Sequence, residues 1–416
     1  MFCFFFNNYV YLRTVKKQIL IYVCLMVSML LPSSKANAQV GGGIQANLDS
    51  IDISLITCGP GNESYSFYGH TGIRIHDKHD MRDLAVNYGL FSFEQDNFVL
   101  RFIFGLTDYL MGMISFDAFM HEYSLEGRWV REQLLNLTPL EKENIVMAII
   151  ENAMPENAEY RYNFLYDNCT TRARDILVSH INGQVKYAKS PRGDVSYRSM
   201  IHQWTADHPW TRFGNDLLLG VKADAKTTQA QQQFLPVYLY DDFAQAVIVD
   251  EHGGTRKLVV KDTLLLDEKK EDSHFPITPM MCMIVLTVLV CLITLVEWMK
   301  KTNWWLFDVC MFLVLGLAGL ILTAMIFSQH PTVSLNYQIL LLNPMGLVGM
   351  VYLIKNRKRN ASTIYLVAVA FIVLFLIGGI WQTYAEGLMI LALSLLIRYS
   401  LKWKMSKDKD KKYSHE

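Results

Sequence analysis

The sequence predicts an α+β domain exported from the cytoplasm, followed by an all-α transmembrane bundle of about five helices. Three observations lead there: a secretory signal pattern at the N-terminus, mixed strand and helix signals over 39–275, and repeated apolar windows from Pro279 onward. Hydrophobic residues make up 51% of the 416, more than a water-soluble fold requires, so part of the chain is expected in lipid. The formal net charge is +0, and no nucleic-acid partner is expected. That balance hides a basic end at Lys402, Lys404, Lys407, Lys409, Lys411 and Lys412. The domains expected are a signal peptide at 1–38, an exported domain at 39–275, a transmembrane domain at 276–402 and a basic cytoplasmic tail at 403–416.

The signal is read from Lys16-Lys17, the apolar run 19–31 and Ala36-Asn37-Ala38, the order of charged, apolar and small residues that precedes cleavage. The run is short for a bilayer core of roughly 30 Å, so cleavage after Ala38 is expected rather than a retained anchor. Residues 1–14 add nothing to this signal, and translation is expected to begin near Val15.

In the exported domain, alternation over 51–55 predicts a strand, and Cys58-Gly59-Pro60-Gly61-Asn62 a turn. A second strand is expected over 70–75, a polar turn over 76–80 and a third strand over 84–88, together a meander. A strand follows at 129–135, then a helix over 138–154 with Thr138 as N-cap, Pro139 in the first turn and Pro155 at its end. A further helix is expected from about Cys169, capped by Asp167 or Asn168. Beyond it, Trp204, Trp210, Phe213 and 217–219 suggest an apolar helical region, 228–235 a short helix ended by Pro236, and Gly253-Gly254 a turn between short strands.

The apolar windows 279–299, 304–327, 337–354, 363–381 and 385–401 each approach the roughly 20 residues of a spanning helix. Lys300 and Lys301, then Lys355, Arg357, Lys358 and Arg359, then the terminal lysines mark every second connection, whereas 328–336 and 382–384 carry no Lys or Arg. The excess of positive charge on one side puts the C-terminus in the cytoplasm and the large domain outside. Asn343-Pro344 predicts a kink or a re-entrant piece, because proline removes a backbone donor and disfavours helix at the residue before it. Asn336 and Asn343 would share a face if that helix were continuous, and polar groups in an apolar segment hint at function or at bonding between helices.

Of seven cysteines, Cys3 and Cys24 fall in the signal region and Cys282, Cys291 and Cys310 in apolar helices, leaving Cys58 and Cys169 in the exported domain. One account is a Cys58–Cys169 disulfide, and the other is that one of them is a catalytic thiol. Cys169 in the first turn of a helix faces open backbone N–H groups and the positive end of the dipole, which favour thiolate. His70, at the start of a strand, is the candidate base, and Asn87 on the next strand would hold its ring in one tautomer. The spacing of His70, His76, His79 and Cys58 matches no compact metal-ligand pattern, so neither a metal nor another cofactor is expected.

The segments Thr57-Cys58-Gly59-Pro60-Gly61, Tyr68-Gly69-His70-Thr71-Gly72-Ile73-Arg74-Ile75, Asn87-Tyr88-Gly89 and 162–174 resemble the periplasmic domain of Lnb-like lipoprotein N-acyltransferases. The loop His330-Pro331-Thr332-Val333 with Asn336 and Asn343-Pro344 resembles the membrane half of the same family. The domain is also similar to circularly permuted papain-like thiol folds, such as acyltransferases resembling lecithin:retinol acyltransferase, in which a strand histidine precedes an Asn-Cys at a helix start. The resemblance implies an acyl chain passed from membrane phospholipid through a Cys169 thioester to the α-amine of the diacylglyceryl-cysteine of a lipoprotein. It implies an enzyme of the inner membrane with Cys169 as nucleophile, His70 as base and Asn87 as third member. Tyr68, Asn168, Arg172, His330, Asn336 and Asn343 would bind substrate or support the site, and Cys58 would be a second thiol. Two rival readings are a cysteine peptidase or amidase acting on cell-wall peptide and a non-catalytic membrane sensor holding the Cys58–Cys169 disulfide.

Overall fold

A computed structural model describes residues 48–90, 97, 100–101, 104–269, 276–330, 332–356 and 362–413. The expected signal peptide with Cys3 and Cys24, together with Pro331, Arg357, Lys358 and Arg359, lies outside the described residues, as does the end of the basic tail. The chain forms two compact units. One comprises the residues up to Asp194 with Thr227–Asp272, and the other comprises Val195–Lys226 with the residues from Ser273. The segment Val195–Lys226, which the sequence groups with the exported domain, packs in the helical unit.

The first unit is built on a seven-stranded antiparallel sheet. Its strands are β1 (Ile51–Cys58), β2 (His70–Asp77), β3 (Arg82–Leu90), β4 (Asp108–Ser115), β5 (Val130–Leu135), β6 (Glu159–Arg161) and, after the short strands β7 (Gln184–Lys186), β8 (Val247–Val249) and β9 (Thr255–Lys257), β10 (Val259–Leu266). The order is β10-β5-β1-β2-β3-β4-β6, with β7-β8-β9 forming a small second sheet. The expected meander is β1-β2-β3, with Ile53 opposite Ile75 and Ile75 opposite Leu84. Cys58 belongs to β1 rather than to the following turn, because it keeps pairing with both β2 and β5.

The period-2 alternation of β1 to β3 sends apolar side chains to both faces. Ile51, Ile53, Leu55, Ile73, Ile75 and Val86 meet helices α2 (Pro139–Asn152) and α3 (Cys169–Val178) through Ile145, Ile149, Ala173 and Leu177. Ile56, Cys58, Ala85 and Val130 meet Phe116, Phe119 and Tyr123 of α1 (Phe116–Leu125) on the other face. Each fully buried aliphatic side chain contributes roughly 1.5–3 kcal/mol, so these two layers hold the sheet centre rigid. Helix α2 starts where its capping box requires, with Thr138 accepting from Glu141 N–H and Pro139 in the first turn. Pro236 opens the helix Pro236–Ala244 rather than ending the one before it, since proline suits a first turn that has no intrahelical partner for its nitrogen.

In the second unit, α4 (Tyr197–Trp204) and α5 (Pro209–Leu218) precede α6 (Pro279–Lys300), α7 (Trp305–Ile326), a 3₁₀ turn (Tyr337–Leu340), α8 (Met345–Lys355), α9 (Ser362–Gly378) and α10 (Leu388–Tyr413). Pro279–Lys300, Trp305–Ile326 and Tyr337–Lys355 are long and apolar enough to cross a membrane by length and composition, and Ser362–Gly378 is a shorter apolar helix. The 22 residues of α6 rise about 33 Å, the thickness of a bilayer core. Helices α7 and α8 approach closely because glycines line the contact. A Cβ on Gly319 would lie 2.4 Å from Pro344 N, and one on Gly346 would lie 2.7 Å from Phe312 O.

Asn336 and Asn343 do not share a continuous helix. Asn336 caps the 3₁₀ turn by accepting from Gln338 N–H, and the chain breaks at Asn343-Pro344 before α8 begins. Four charges are buried among the helices: Arg398 pairs with Asp308 at 2.6 Å and with Glu297 at 2.6 Å, and Lys402 pairs with Glu297 at 2.6 Å. Sequence reasoning overlooked this cluster, because each charge stands alone within or beside an apolar run and only the fold brings α6, α7 and α10 together.

Candidate active site

Cys169 occupies the first position of α3, and its neighbour Asn168 sets up that position. Asn168 has extended backbone and accepts the N–H groups of Thr170 at 3.0 Å and Thr171 at 2.9 Å on its side-chain oxygen. Its amide nitrogen donates to Phe164 O and Phe234 O, both at 2.9 Å. Every polar atom of this buried side chain is therefore used, and the cap leaves the Cys169 N–H open at the helix start. Thr71 and Thr170 share a hydroxyl hydrogen bond at 3.0 Å, which ties the helix start to β2.

His70 begins β2 opposite Cys58, and Asn87 lies on β3 opposite Gly72. Gly69 makes the entry to β2 with φ +81, where a Cβ would strike Cys58 O at 2.6 Å. His70 Nε2 donates to Asn87 Oδ1. That bond assigns the proton to Nε2 in the neutral ring and leaves Nδ1 for the thiol of Cys169, with which His70 is hydrogen-bonded.

The electrostatics follow from this geometry. Burial alone would push the Cys169 thiol up, but the charge and hydrogen bond of His70, the Thr71 backbone N–H and the Thr170 hydroxyl outweigh it and bring Cys169 to about 7. Burial opposes charge on His70 as well, yet the Cys169 thiolate and the bond to Asn87 raise it above the usual histidine value. Both shifts favour a thiolate beside an imidazolium, which is the reactive form of a thiol nucleophile.

Cys58 contrasts with Cys169. Its thiol is fully buried, burial raises it well above the ordinary thiol range, and it stays protonated. Both cysteines are free thiols, so the disulfide of the sensor reading is not formed.

The thiol opens into a cleft lined largely by aromatic rings, among them Tyr65, Tyr68, Tyr109, Tyr162, Phe164 and Phe234. Tyr109 stacks on Tyr162 with centroids 4.1 Å apart, and Tyr68 meets Phe164 at 4.7 Å. Gly89, at φ +90, forms part of the wall, where a Cβ would lie 4.0 Å from Cys169 Cβ. Of the residues lining the cleft, the sequence marks Tyr68, His70, Asn168 and Cys169 as site candidates, and Tyr162 and Phe164 fall within the 162–174 segment. Tyr109 and Phe234 come from separate parts of the chain, and no local pattern marks them.

Arg172 lies one turn beyond Cys169 in α3. It forms a two-point pair with Asp167 at 2.6 and 2.8 Å and covers the Tyr160 ring at 3.6 Å, bracing the loop before α3. His330, Asn336 and Asn343 belong to the helical unit. Asn336 is buried, donates to Leu217 O at 2.8 Å and accepts from Gln382 at 2.8 Å. Asn343 accepts from Met345 N–H at 2.9 Å at the chain break, and the His330 N–H donates to Ser328 Oγ at 3.3 Å.

No curated protein and no solved structure was found to match the chain. Two protein families do match: the Lnb N-terminal periplasmic domain over residues 44–203 and the Lnb transmembrane domain over residues 269–410. The first covers β1 to α3 with the whole thiol, imidazole and amide arrangement, and the second covers α6 to α10. With both domains present in that order across most of its length, the chain belongs to the Lnb family of membrane proteins.

Proposed function

We propose that this protein is a membrane-bound lipoprotein N-acyltransferase working through a Cys169 thioester. The observation that carries the reading is a thiol brought to about 7 by a paired imidazole at the floor of an aromatic cleft. The Cys169 thiolate attacks the ester carbonyl of a phospholipid. The carbon–oxygen bond breaks, the lysophospholipid alkoxide leaves with a proton from His70, and the acyl chain remains as a thioester. The α-amine of a diacylglyceryl-cysteine then attacks the thioester carbonyl, His70 takes its proton, and the thiolate departs as the amide forms. In this reading the Cys169 N–H, which the Asn168 cap does not use, donates to the oxyanion in both steps. Asn87 holds the His70 ring, and the aromatic walls accept the acyl chain.

In this reading residues 1–38 are removed as a signal peptide, the thiol domain is periplasmic and the C-terminal tail is cytoplasmic. The partners are bilayer phospholipid as donor and diacylated lipoproteins as acceptors. Anchorage in the membrane keeps the thiol domain at the surface where both lipids reside.

Mass spectrometry of lipoprotein N-termini from cells with and without the protein tests the reading. Loss of the third acyl chain on deletion, restored by wild type and not by Cys169→Ala, is the expected result. Unchanged N-acylation would turn the assignment toward cell-wall peptide hydrolysis.

A further inference from the structure

Helix α5 is held at one end of the helical unit by bonds to three separate segments. Asn336 donates to Leu217 O at 2.8 Å, Gln338 to Asp216 O at 2.7 Å and Gln382 to Leu219 O at 3.2 Å. The Trp210 indole donates to Ile277 O at 2.7 Å, immediately before α6. The start of α6, the connection after α7 and the connection after α9 lie on the same side of a bundle whose spans alternate in direction. Helix α5 therefore lies at the level where the spans leave the hydrocarbon. Phe213, Leu217 and Leu218 pack onto the helical core, while Trp210 is 43% exposed. An amphipathic helix with an exposed tryptophan at this level lies in the membrane interface.

Among the described residues, no hydrogen-bond or ion-pair partner stands at the Arg212 guanidinium of this helix. Its Nε is buried and meets no acceptor. Asp216, one turn further on and its natural ion-pair partner, is occupied by Arg198 at 2.7 Å and His202 at 2.8 Å. An unpaired guanidinium, half-buried beside lipid, requires an anionic partner, and its planar fork fits two oxygens of one phosphate. We propose that Arg212 binds the phosphodiester of a bilayer phospholipid at this interface, with the exposed part of Trp210 against the same lipid. The inference depends on the membrane setting of the helical unit and not on acyl transfer, so lipid binding and N-acylation can fail independently.

The test is native mass spectrometry of the full-length protein released from mild detergent after incubation with phosphatidylglycerol, phosphatidylethanolamine, diacylglycerol of the same chains, or inorganic phosphate. Discrete adducts are expected with the two phospholipids and not with diacylglycerol or inorganic phosphate. Arg212→Gln should lower adduct occupancy about tenfold while leaving the thermal unfolding temperature unchanged, since the guanidinium has no partner among the described residues. Equal occupancy in wild type and Arg212→Gln, or equal retention of diacylglycerol, would overturn the proposal, and binding of inorganic phosphate alone would reduce the site to a soluble-anion site. Should Arg212→Gln fail to fold, Arg212→Lys keeps the charge without the fork; a severalfold loss is expected, and undiminished occupancy would count against two-point recognition.

Discussion

The side-chain amide of Asn168 donates to the carbonyl of Phe234 at 2.9 Å across 66 residues of sequence. The same side chain caps α3, so one residue both starts the nucleophile helix and fastens it to a distant wall of the cleft. Asn168→Ala removes the cap and strands two carbonyls, which should cost about 2–4 kcal/mol. Thermal unfolding of the thiol domain should show the loss, together with slower alkylation of Cys169. Asn168→Asp should keep the cap and lose only the donated bonds.

Reactivity of Cys169 should follow its lowered pKa. Because Cys169 sits at about 7 rather than at an ordinary thiol value, the thiolate forms as pH rises through about 7 and is lost below it. The rate of iodoacetamide labelling should rise with a midpoint near 7 in wild type. In His70→Ala the main stabilising charge is gone while burial remains, so the midpoint should move up by at least about one unit.

The two cysteines should separate cleanly in function. Cys169→Ala should abolish a hydroxylamine-labile acyl group on trapped protein, whereas Cys58→Ala should leave that group in place. Cys58 is packed with Phe119 and Tyr123, so its truncation should instead lower stability by roughly 1 kcal/mol. Finding the acyl group on Cys58 would reverse the assignment.

Asn87 acts on substrate only through His70. Asn87→Ala should lower kcat by roughly tenfold to a hundredfold with KM little changed, because the imidazole loses its fixed tautomer while the cleft walls stay in place. Asn87→Gln, longer by one methylene, should not restore the rate, and a KM effect alone would point to substrate binding instead.

In the helical unit, Arg398→Met should be strongly destabilising. It leaves Asp308 and Glu297 buried with only Lys402 between them, a loss of about 3–5 kcal/mol for breaking a buried pair. Removing the paired acid as well, in Arg398→Met with Asp308→Leu, should recover much of it. Detergent-solubilised unfolding temperatures of the single and double variants measure the difference.

Local pattern carried much of this protein. Alternation placed β1, β2 and β3, the Thr138 and Asn168 caps placed α2 and α3, and the helix start at Cys169 already implied a reactive thiol. Unbroken apolar windows located the helical segments, because lipid demands a span whose backbone is satisfied within itself. Asn343-Pro344 announced the chain break before α8 for the equally local reason that proline lacks a donor. Short-range chemistry of this kind is written in neighbouring residues and needs no fold to be read.

Tertiary structure decided what distant residues do to one another. Tyr109 and Phe234 carry no local mark, yet folding brings them to one cleft with Cys169. Cys58 and Cys169 look alike as lone exported cysteines. The sheet buries one thiol and keeps it protonated, while the end of a helix and an imidazole charge the other. The segment Val195–Lys226 reads as part of the exported domain and packs with the helices, because its bonding partners at Thr332, Leu335, Asn336, Gln338 and Gln382 lie more than a hundred residues downstream. Desolvation and ion pairing depend on which surfaces meet, and that is fixed only when the whole chain has folded.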